Sequence, residues 1–300
     1  MPAVLVDGRE IDLSNLDKVF WPREGYTKAH LLQYYHEIAP FILRYLKDRP
    51  IVMNRFPDGI TGENFYQKER PAHTPSWIQT VAVDHEDAGR RINYILCQNE
   101  PTLLWLVNQG CIEIHAWLSR SGSLEYPDIA VLDLDPMPGA TFDDVRVVAL
   151  LVREVLDHVG LDGFPKTSGA TGLHVFIPIA PAYTFKEVAR AMGVVAQAVA
   201  RVSPRATVER VIARRGPRVY VDYLQNVFGK TMAFPYSVRP LPGAPVSTPI
   251  TWEELQLPVL LPARFSMVSV PGRLKEKGDL YAGLLDRKQS LDTLLRQARR

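Results

Sequence analysis

The chain is poor in cysteine, nearly neutral overall and without a long apolar run. Cys97 and Cys111 are the two cysteines in 300 residues. Both sit in apolar surroundings without metal-ligand spacing, which excludes a disulfide framework and reads as reduced core thiols. No uninterrupted apolar stretch reaches the ~18 residues that a spanning helix needs, and the N-terminus lacks the basic-then-apolar pattern of a secretory signal. No internal repeat, heptad array or low-complexity tract is present. These absences predict a cytoplasmic protein, close to the nucleoid if it binds nucleic acid, with no membrane partner.

What is present is ordinary in bulk and uneven in detail. Hydrophobic residues make up 46% and charged residues 23%, the balance of a soluble enzyme. The length suits a two-lobed domain. The net charge of +2 hides a cluster: arginines 201, 205, 210, 214, 215 and 218 stand against one acid, Glu209. Such a cluster suits a polyanion, and equally a solvated helix face and loop.

Periodicity gives a coarse map. Val4–Asp12 reads as a short strand. Thr27 can cap a helix from Lys28 to about Tyr45, which Pro40 should kink or split. Val81–Val83 and Ile92–Leu96 read as strands joined by the polar stretch Asp84–Arg91. Pro101 opens a helix that Gly110 ends, and Ile112–Trp117 alternates as a strand. Thr141 and the capping box Thr184-x-x-Glu187 open two amphipathic helices. Around residues 240–263 the chain turns Pro-rich, a wrapping segment, and a basic helical tail ends at Arg300. Strands and helices mix without strict βαβ alternation, which predicts an α+β fold with antiparallel or mixed sheets flanked by helices.

The most informative stretch is Ile129-Ala130-Val131-Leu132-Asp133-Leu134-Asp135-Pro136. Two carboxylates two residues apart on a strand share one face, roughly 6.5–7 Å apart at Cα. Asp is depleted in strands, and two ionised carboxylates on one face repel unless a cation sits between them. Hard, oxygen-liganded Mg²⁺ or Mn²⁺ is the natural guest. The bland alternative has Asp135 capping the Asp-Pro turn and Asp133 meeting an arginine. A third acid, Asp222, interrupts the apolar Val219–Leu224 in the same way. Asp133, Asp135 and Asp222 together make the carboxylate set of a two-metal site for in-line phosphoryl displacement.

Two further elements suit phosphate. Thr167-Ser168-Gly169-Ala170-Thr171-Gly172-Leu173-His174 is a Gly-containing turn leading into a strand, where backbone N–H groups, Ser168 and His174 can cradle oxygens. It is not a Walker loop, since it lacks the Gly-Lys-Ser/Thr ending; a plain hairpin is the alternative. Downstream of Lys230, Arg239 offers a guanidinium that matches phosphate bidentately.

Taken together, Asp133-Leu134-Asp135-Pro136, Ser168-Gly169-x-x-Gly172-Leu173-His174, Val221-Asp222-x-x-Gln225-Asn226, Lys230-Thr231 and Pro235-Tyr236-Ser237-x-Arg239 resemble the polymerase domain of bacterial ligase D. That family is the non-homologous end-joining branch of the archaeo-eukaryotic primase superfamily. The resemblance extends upstream to Asn15–Pro22, Thr27-Lys28, Asn54–Gly59 and Glu113-x-His115, covering nearly the whole chain in order. It implies a single primase-type polymerase domain over residues 1–300, with sub-lobes of roughly 1–110 and 111–300 around one active-site cleft. It also implies a template-dependent nucleotidyltransferase that fills or extends broken DNA ends and prefers ribonucleotides.

On the matching positions, Asp133, Asp135 and Asp222 would hold two Mn²⁺ or Mg²⁺ ions. His115, Ser168, Gly169, Thr171, Gly172, His174, Lys230 and Arg239 would bind the nucleoside triphosphate. Asn15, Lys18 and Lys28 would grip the DNA 5′-phosphate across a gap. Phe65 and Tyr66 would stack on the template, with Arg55, Arg215, Gln225 and Asn226 also at template or primer. Asp84–Arg91 matches a hairpin that aligns two ends, and the implied partners are gapped or broken DNA, Ku and an ATP-dependent DNA ligase. The chain departs from relatives at Thr171, often Lys, at Asn54, where relatives carry a basic residue, and at Tyr66, where the family has Phe. No ligase or phosphoesterase module accompanies it, as in a stand-alone polymerase or an excised domain. Two competing readings are a phosphatase of the haloacid-dehalogenase type, with Asp133 as nucleophile before a parallel sheet, and a catalytically silent DNA-end-binding adaptor.

Overall fold

Period-two and period-3.6 patterning sort the chain into short strands and a few amphipathic helices. A computed structural model describes residues 3–85, 89–257 and 262–298. In chain order the first elements are β1 (Ala3–Val6), β2 (Arg9–Asp12), β3 (Val19–Trp21), β4 (Tyr26–Thr27), α1 (Lys28–Leu46), β5 (Pro50–Arg55), β6 (Phe65–Gln67), β7 (Thr80–His85), β8 (Arg90–Leu96), α2 (Glu100–Asn108) and β9 (Cys111–Trp117). There follow β10 (Ile129–Pro136), α3 (Phe142–His158), β11 (Phe164–Thr167), β12 (Leu173–Pro178), α4 (Phe185–Val202), β13 (Ala206–Thr207), β14 (Val219–Asp222), β15 (Thr231–Ala233), α5 (Trp252–Gln256), α6 (Val270–Lys277) and α7 (Asp292–Gln297). The α+β class read from the sequence holds. No helix among the described residues is long and apolar enough to cross a membrane.

The elements form two compact units. Met1–Gly122, Thr231–Ser247 and Phe265–Gly278 make the first; Ser123–Lys230, Thr248–Arg264 and Asp279–Arg300 make the second. The Pro-rich segment is thus shared, its earlier part in the first unit and its later part in the second.

In the first unit the sheet runs β15-β9-β5-β8-β7, with β6 also on β5. All its pairings are antiparallel. Helix α1 buries Leu31, Tyr35, Ile38, Ile42 and Leu46, each such side chain contributing about 1.5–3 kcal/mol of transfer free energy. The Tyr35 hydroxyl donates to Ile112 O at 2.8 Å and accepts from Val238 N at 3.0 Å, tying α1 to β9 and to the segment following β15. Pro40 does not split the helix: α1 continues to Leu46, held by buried side chains on both sides of the proline. The expected single strand at residues 4–12 is a hairpin, β1–β2, because Asp7 and Gly8 both take positive φ (47° and 73°). Strands β7 and β8 pair out to His85 and Arg90; residues 86–88 of the expected end-aligning hairpin lie outside the described residues.

The second unit has a five-stranded sheet in the order β11-β12-β10-β14-β13. Strand β10 is antiparallel to both its neighbours, and β13–β14 is the parallel pair. Among the described residues the Asp-x-Asp strand therefore lacks the parallel neighbours that a dehalogenase-type phosphatase needs. Helix α3 buries Val145, Val148, Val152 and Leu156, and α3 and α4 open with the capping boxes Thr141/Asp144 and Thr184/Glu187. Residues Ile129–Leu134 of β10 are buried throughout, which explains why this run is apolar except at its acids.

Candidate functional site

Strand register builds the acidic site of the second unit. Asp133 on β10 stands opposite His174 on β12 and opposite Asp222 on β14, and His174 stands opposite Lys166 on β11. Directly opposed residues share a face, so Lys166, His174, Asp133 and Asp222 form one row across four strands. Asp135 joins that face two residues along β10. All four row residues are buried. Like charges opposite each other destabilise a sheet, and polar partners offset that here. Lys166 Nζ lies 2.7 Å from His174 Nδ1, and His174 Nε2 lies 3.3 Å from Asp133 Oδ1. The Asp222 carboxylate accepts from Leu224 N at 2.7 Å, Gln225 Nε2 at 3.1 Å and the Tyr220 hydroxyl at 3.4 Å.

The turn entering β12 is built by its small residues. Gly169 takes φ +77°, and the Ser168 hydroxyl accepts from the N–H groups of Ala170 and Gly172, both at 3.1 Å. Gly172 passes so close to β10 that a Cβ there would lie 2.5 Å from Leu134 O and 3.3 Å from Asp135 Oδ1. The turn is thereby fixed against the acids. Thr171 is exposed at its tip.

Donor chemistry and register both suit a divalent cation at Asp133, Asp135 and Asp222, since the set is all hard oxygen. Among the described residues no three His, Cys, Asp or Glu side chains are gathered into a ready metal cage. The carboxylates of Asp133 and Asp222 are turned to the protein partners named above.

Several residues expected at template or primer have protein partners here. Asn226 is wholly buried. Its amide bonds both backbone groups of Val131 (Oδ1 from Val131 N at 2.8 Å, Nδ2 to Val131 O at 2.7 Å), so it clamps β10 and cannot reach a DNA strand. Gln225 is turned to Asp222. The Arg215 guanidinium stacks on Tyr220, 3.4 Å from the ring centroid, and its Nε donates to Glu209 O. Lys230 is exposed.

The first unit gathers a second set of expected residues. The Pro235-Tyr236-Ser237-x-Arg239 motif is anchored where the Ser237 hydroxyl accepts from Ile114 N at 2.9 Å. Arg239 forms an ion pair with Glu113 on β9, and His115 Nε2 lies 3.4 Å from the same carboxylate. Tyr66 sets its ring edge-on to His115, centroids 5.4 Å apart. The structure thus joins His115, Arg239 and Tyr66 through Glu113, which the sequence reading left without a role. Its signal was an acid inside the apolar run Cys111–Ile114, as at Asp222.

Asn15, Lys18 and Lys28 also come together, in a cavity of about 190 Å³ shared with Ser14, Asn108 and Arg55. Asn15 takes φ +53°, and the turn closes with Lys18 N on Asn15 O and Lys28 N on Lys18 O. Lys28 Nζ donates to Ser14 O at 2.7 Å, while Lys18 Nζ meets Asp58 Oδ1 at 2.5 Å. Burial, then the charges of Lys18 and Arg55, lowers the Lys28 pKa to about 8. Three cations converging in one cavity favour an anion. A separate groove of the same unit is lined by Phe65, Tyr66, Lys68, Arg70, Arg90 and Arg91, an aromatic and basic surface of the kind single-stranded nucleic acid stacks on.

Comparison with known proteins identifies the family and the fold. Residues 27–281 match the family described as LigD, primase-polymerase domain. The chain is 32% identical over 297 residues to the bifunctional non-homologous end joining protein LigD of Bacillus subtilis, covering 97% of this chain and 47% of that protein. It is 32% identical to the multifunctional LigD of Mycolicibacterium smegmatis, covering 91% of this chain and 36% of that protein. It therefore spans less than half the length of these relatives. The solved polymerase domain of Mycobacterium tuberculosis ligase D, in complex with DNA, superposes with a TM-score of 0.87 at 30% identity, over 93% of this chain and 99% of that one. The fold is the primase type, and the chain belongs to the LigD primase-polymerase domain family.

Proposed function

We propose that this chain extends and fills broken DNA ends before their ligation, acting beside Ku and an ATP-dependent DNA ligase in the cytoplasm, with nucleoside triphosphates as substrates and a preference for ribonucleotides. The observation that carries the reading is the row Lys166–His174–Asp133–Asp222 across four strands, with Asp135 on the same face and the Ser168 turn fixed against it. DNA is the ligand of the solved neighbour, and this reading extends it to the present chain.

Asp133, Asp135 and Asp222 would hold two Mn²⁺ or Mg²⁺ ions. When bound, such ions lower the pKa of a primer 3′-hydroxyl and balance charge on the leaving pyrophosphate. The chain's own groups do the rest. The N–H groups of the 168–172 turn and His174 orient phosphate oxygens. Arg239 supplies positive charge to the polyphosphate, with His115 as a further hydrogen-bonding group. The 3′-hydroxyl gives up its proton to solvent, its oxygen bonds to the α-phosphorus, and the bond from that phosphorus to the bridging oxygen of the β-phosphate breaks, releasing pyrophosphate.

The test is primer extension on a gapped template with Mn²⁺, comparing ribonucleotides and deoxyribonucleotides side by side. Asp133→Ala with Asp135→Ala should abolish extension while sparing DNA affinity, which phosphate contacts dominate. Residual extension in the double variant would sink the assignment of the acids, and a strong deoxyribonucleotide preference would sink the sugar preference. A catalytically silent adaptor predicts no extension by the parent chain.

A further inference from the structure

Glu113 is 2% exposed, yet it is ionisable and central to a polar cluster. It sits on β9 two residues before His115, so both side chains leave the same face. Its Oε1 pairs with Arg239 Nε. Its Oε2 accepts from Asn54 Nδ2 at 2.5 Å and lies 3.4 Å from His115 Nε2. Asn54 stands directly opposite on β5, and its Oδ1 accepts from Asn64 Nδ2 at 2.9 Å. A carboxylate at this depth stays charged only where donors and a cation compensate its lost hydration. Burial raises the Glu113 pKa, but the His115 hydrogen bond and the Arg239 charge outweigh it and hold the group below the usual carboxylate range.

An apolar side chain would fill this place in the sheet without that cost. What Glu113 adds is a fixed seat for two groups that the polymerase reading assigns to the nucleotide. The ion pair draws the Arg239 guanidinium to this carboxylate and so sets where its fork lies. The partner opposite is the neutral amide of Asn54. A cation at that position would compete with Arg239 for the same carboxylate, whereas Asn54 adds a hydrogen bond and no competing charge.

We infer that Glu113 is a positioning residue for the nucleoside triphosphate, holding Arg239 and His115 in the geometry that receives the polyphosphate. The inference rests on the reading of Arg239 as a triphosphate ligand. It is tested by steady-state primer extension in a double-mutant cycle on the full chain. Glu113→Gln keeps the volume and removes the charge. It should raise the apparent KM for the nucleoside triphosphate about tenfold, the lower end of what a charge-assisted hydrogen bond contributes. The change in kcat should stay within about threefold, and affinity for primer–template DNA should be unchanged. In an Arg239→Ala background the same substitution should raise KM by less than about twofold, because the group it positions is gone. Glu113→Asp, which keeps the charge but withdraws it by one methylene, must show the same dependence on Arg239 and serves if Glu113→Gln does not fold. Equal costs in both backgrounds, or a parallel fall of kcat, DNA affinity and thermal stability, would overturn the inference and leave Glu113 a structural residue. Arg239→Ala alone separates the two layers. If that variant matches the parent across a full nucleotide titration, the triphosphate reading of Arg239 falls, and the positioning role falls with it.

Discussion

Single atoms decide the geometry at the Asp-x-Asp strand. Gly172 is needed for space, since a methyl group there would press on Leu134 O at 2.5 Å, backbone that cannot swing aside. Gly172→Ala should therefore part β12 from β10 beside Asp135, costing about 1–3 kcal/mol of stability and most of the extension activity. Thermal unfolding and primer extension measured together check it; a variant with parent-like activity would show that the close approach is not required. Lys28 gives a residue-level pH effect. Its pKa is lowered to about 8 from an ordinary 10.5, so the free enzyme holds the ammonium below about 8 and loses it as pH rises through that value. Preference for a 5′-phosphorylated gap should thus be full near neutrality and fall above about pH 8, where the neutral amine no longer attracts a dianion. The ratio of extension on phosphorylated and unphosphorylated gaps across that range measures it, and a flat ratio would remove Lys28 from the pocket. At this scale the acids were legible because Asp133, Asp135 and Asp222 each break an apolar run. Glu113 breaks one too, but its partners Asn54 and Arg239 are 59 and 126 residues away in sequence by number, a distance no local pattern spans. Lys166 carried no signal at all, lying between Pro165 and Thr167 and becoming a row member by register alone.

At the scale of elements, strand β14 ends too early to cover β10. Its register stops with Asp222 opposite Asp133, leaving Val131 beyond the end of the pairing. The Asn226 side chain takes over, using its amide as a peptide group would be used and also donating to Tyr223 O at 2.8 Å. This fixes the turn after Asp222 to the strand that carries the other two acids. Asn226→Ala would strand a buried N–H and a buried C=O of Val131, each worth about 1–3 kcal/mol when unsatisfied. The expected loss is about 2–4 kcal/mol of stability, with extension reduced further because Asp222 loses its tether. Equilibrium denaturation checks the first and single-turnover incorporation the second; a stability change under half a unit of that range would mean water replaces the amide. Sequence reading placed the helices well here, since Thr141 and Thr184 announce capping boxes three residues ahead of their acids. It placed α1 to within a residue; of the kink or split expected at Pro40, the split does not occur, because the buried stripe outweighs the hydrogen bond lost there. It also assigned Asn226 to DNA, because a polar residue after a catalytic-looking Asp gives no sign of whether it points to solvent or to a neighbouring strand.

For the molecule as a whole, the residues proposed for the DNA end and the proposed metal-holding acids lie in different units. The acids and the Ser168 turn belong to the second unit, while Asn15, Lys18, Lys28 and Arg55 share a cavity of the first. A gap-filling enzyme must distinguish a downstream broken end from open template, and the chemical difference is a terminal 5′-phosphate. The cavity suits that group: two ammonium side chains and a guanidinium line it, and α1 begins at Lys28 with its N-terminal partial charge at the same place. Lys18 is paired with Asp58 at the surface, a contact of small worth that an incoming dianion can displace. Lys18→Ala combined with Lys28→Ala should therefore erase the advantage of a 5′-phosphorylated gap. Extension of an open primer–template, which has no such end, should change little, because the acids of the second unit are untouched. Run at one fixed salt concentration, since phosphate contacts weaken steeply with ionic strength, the comparison has clear outcomes. If the double variant still prefers the phosphorylated gap, the end is recognised elsewhere. If both substrates suffer equally, the cavity supports the fold or the chemistry and not the end.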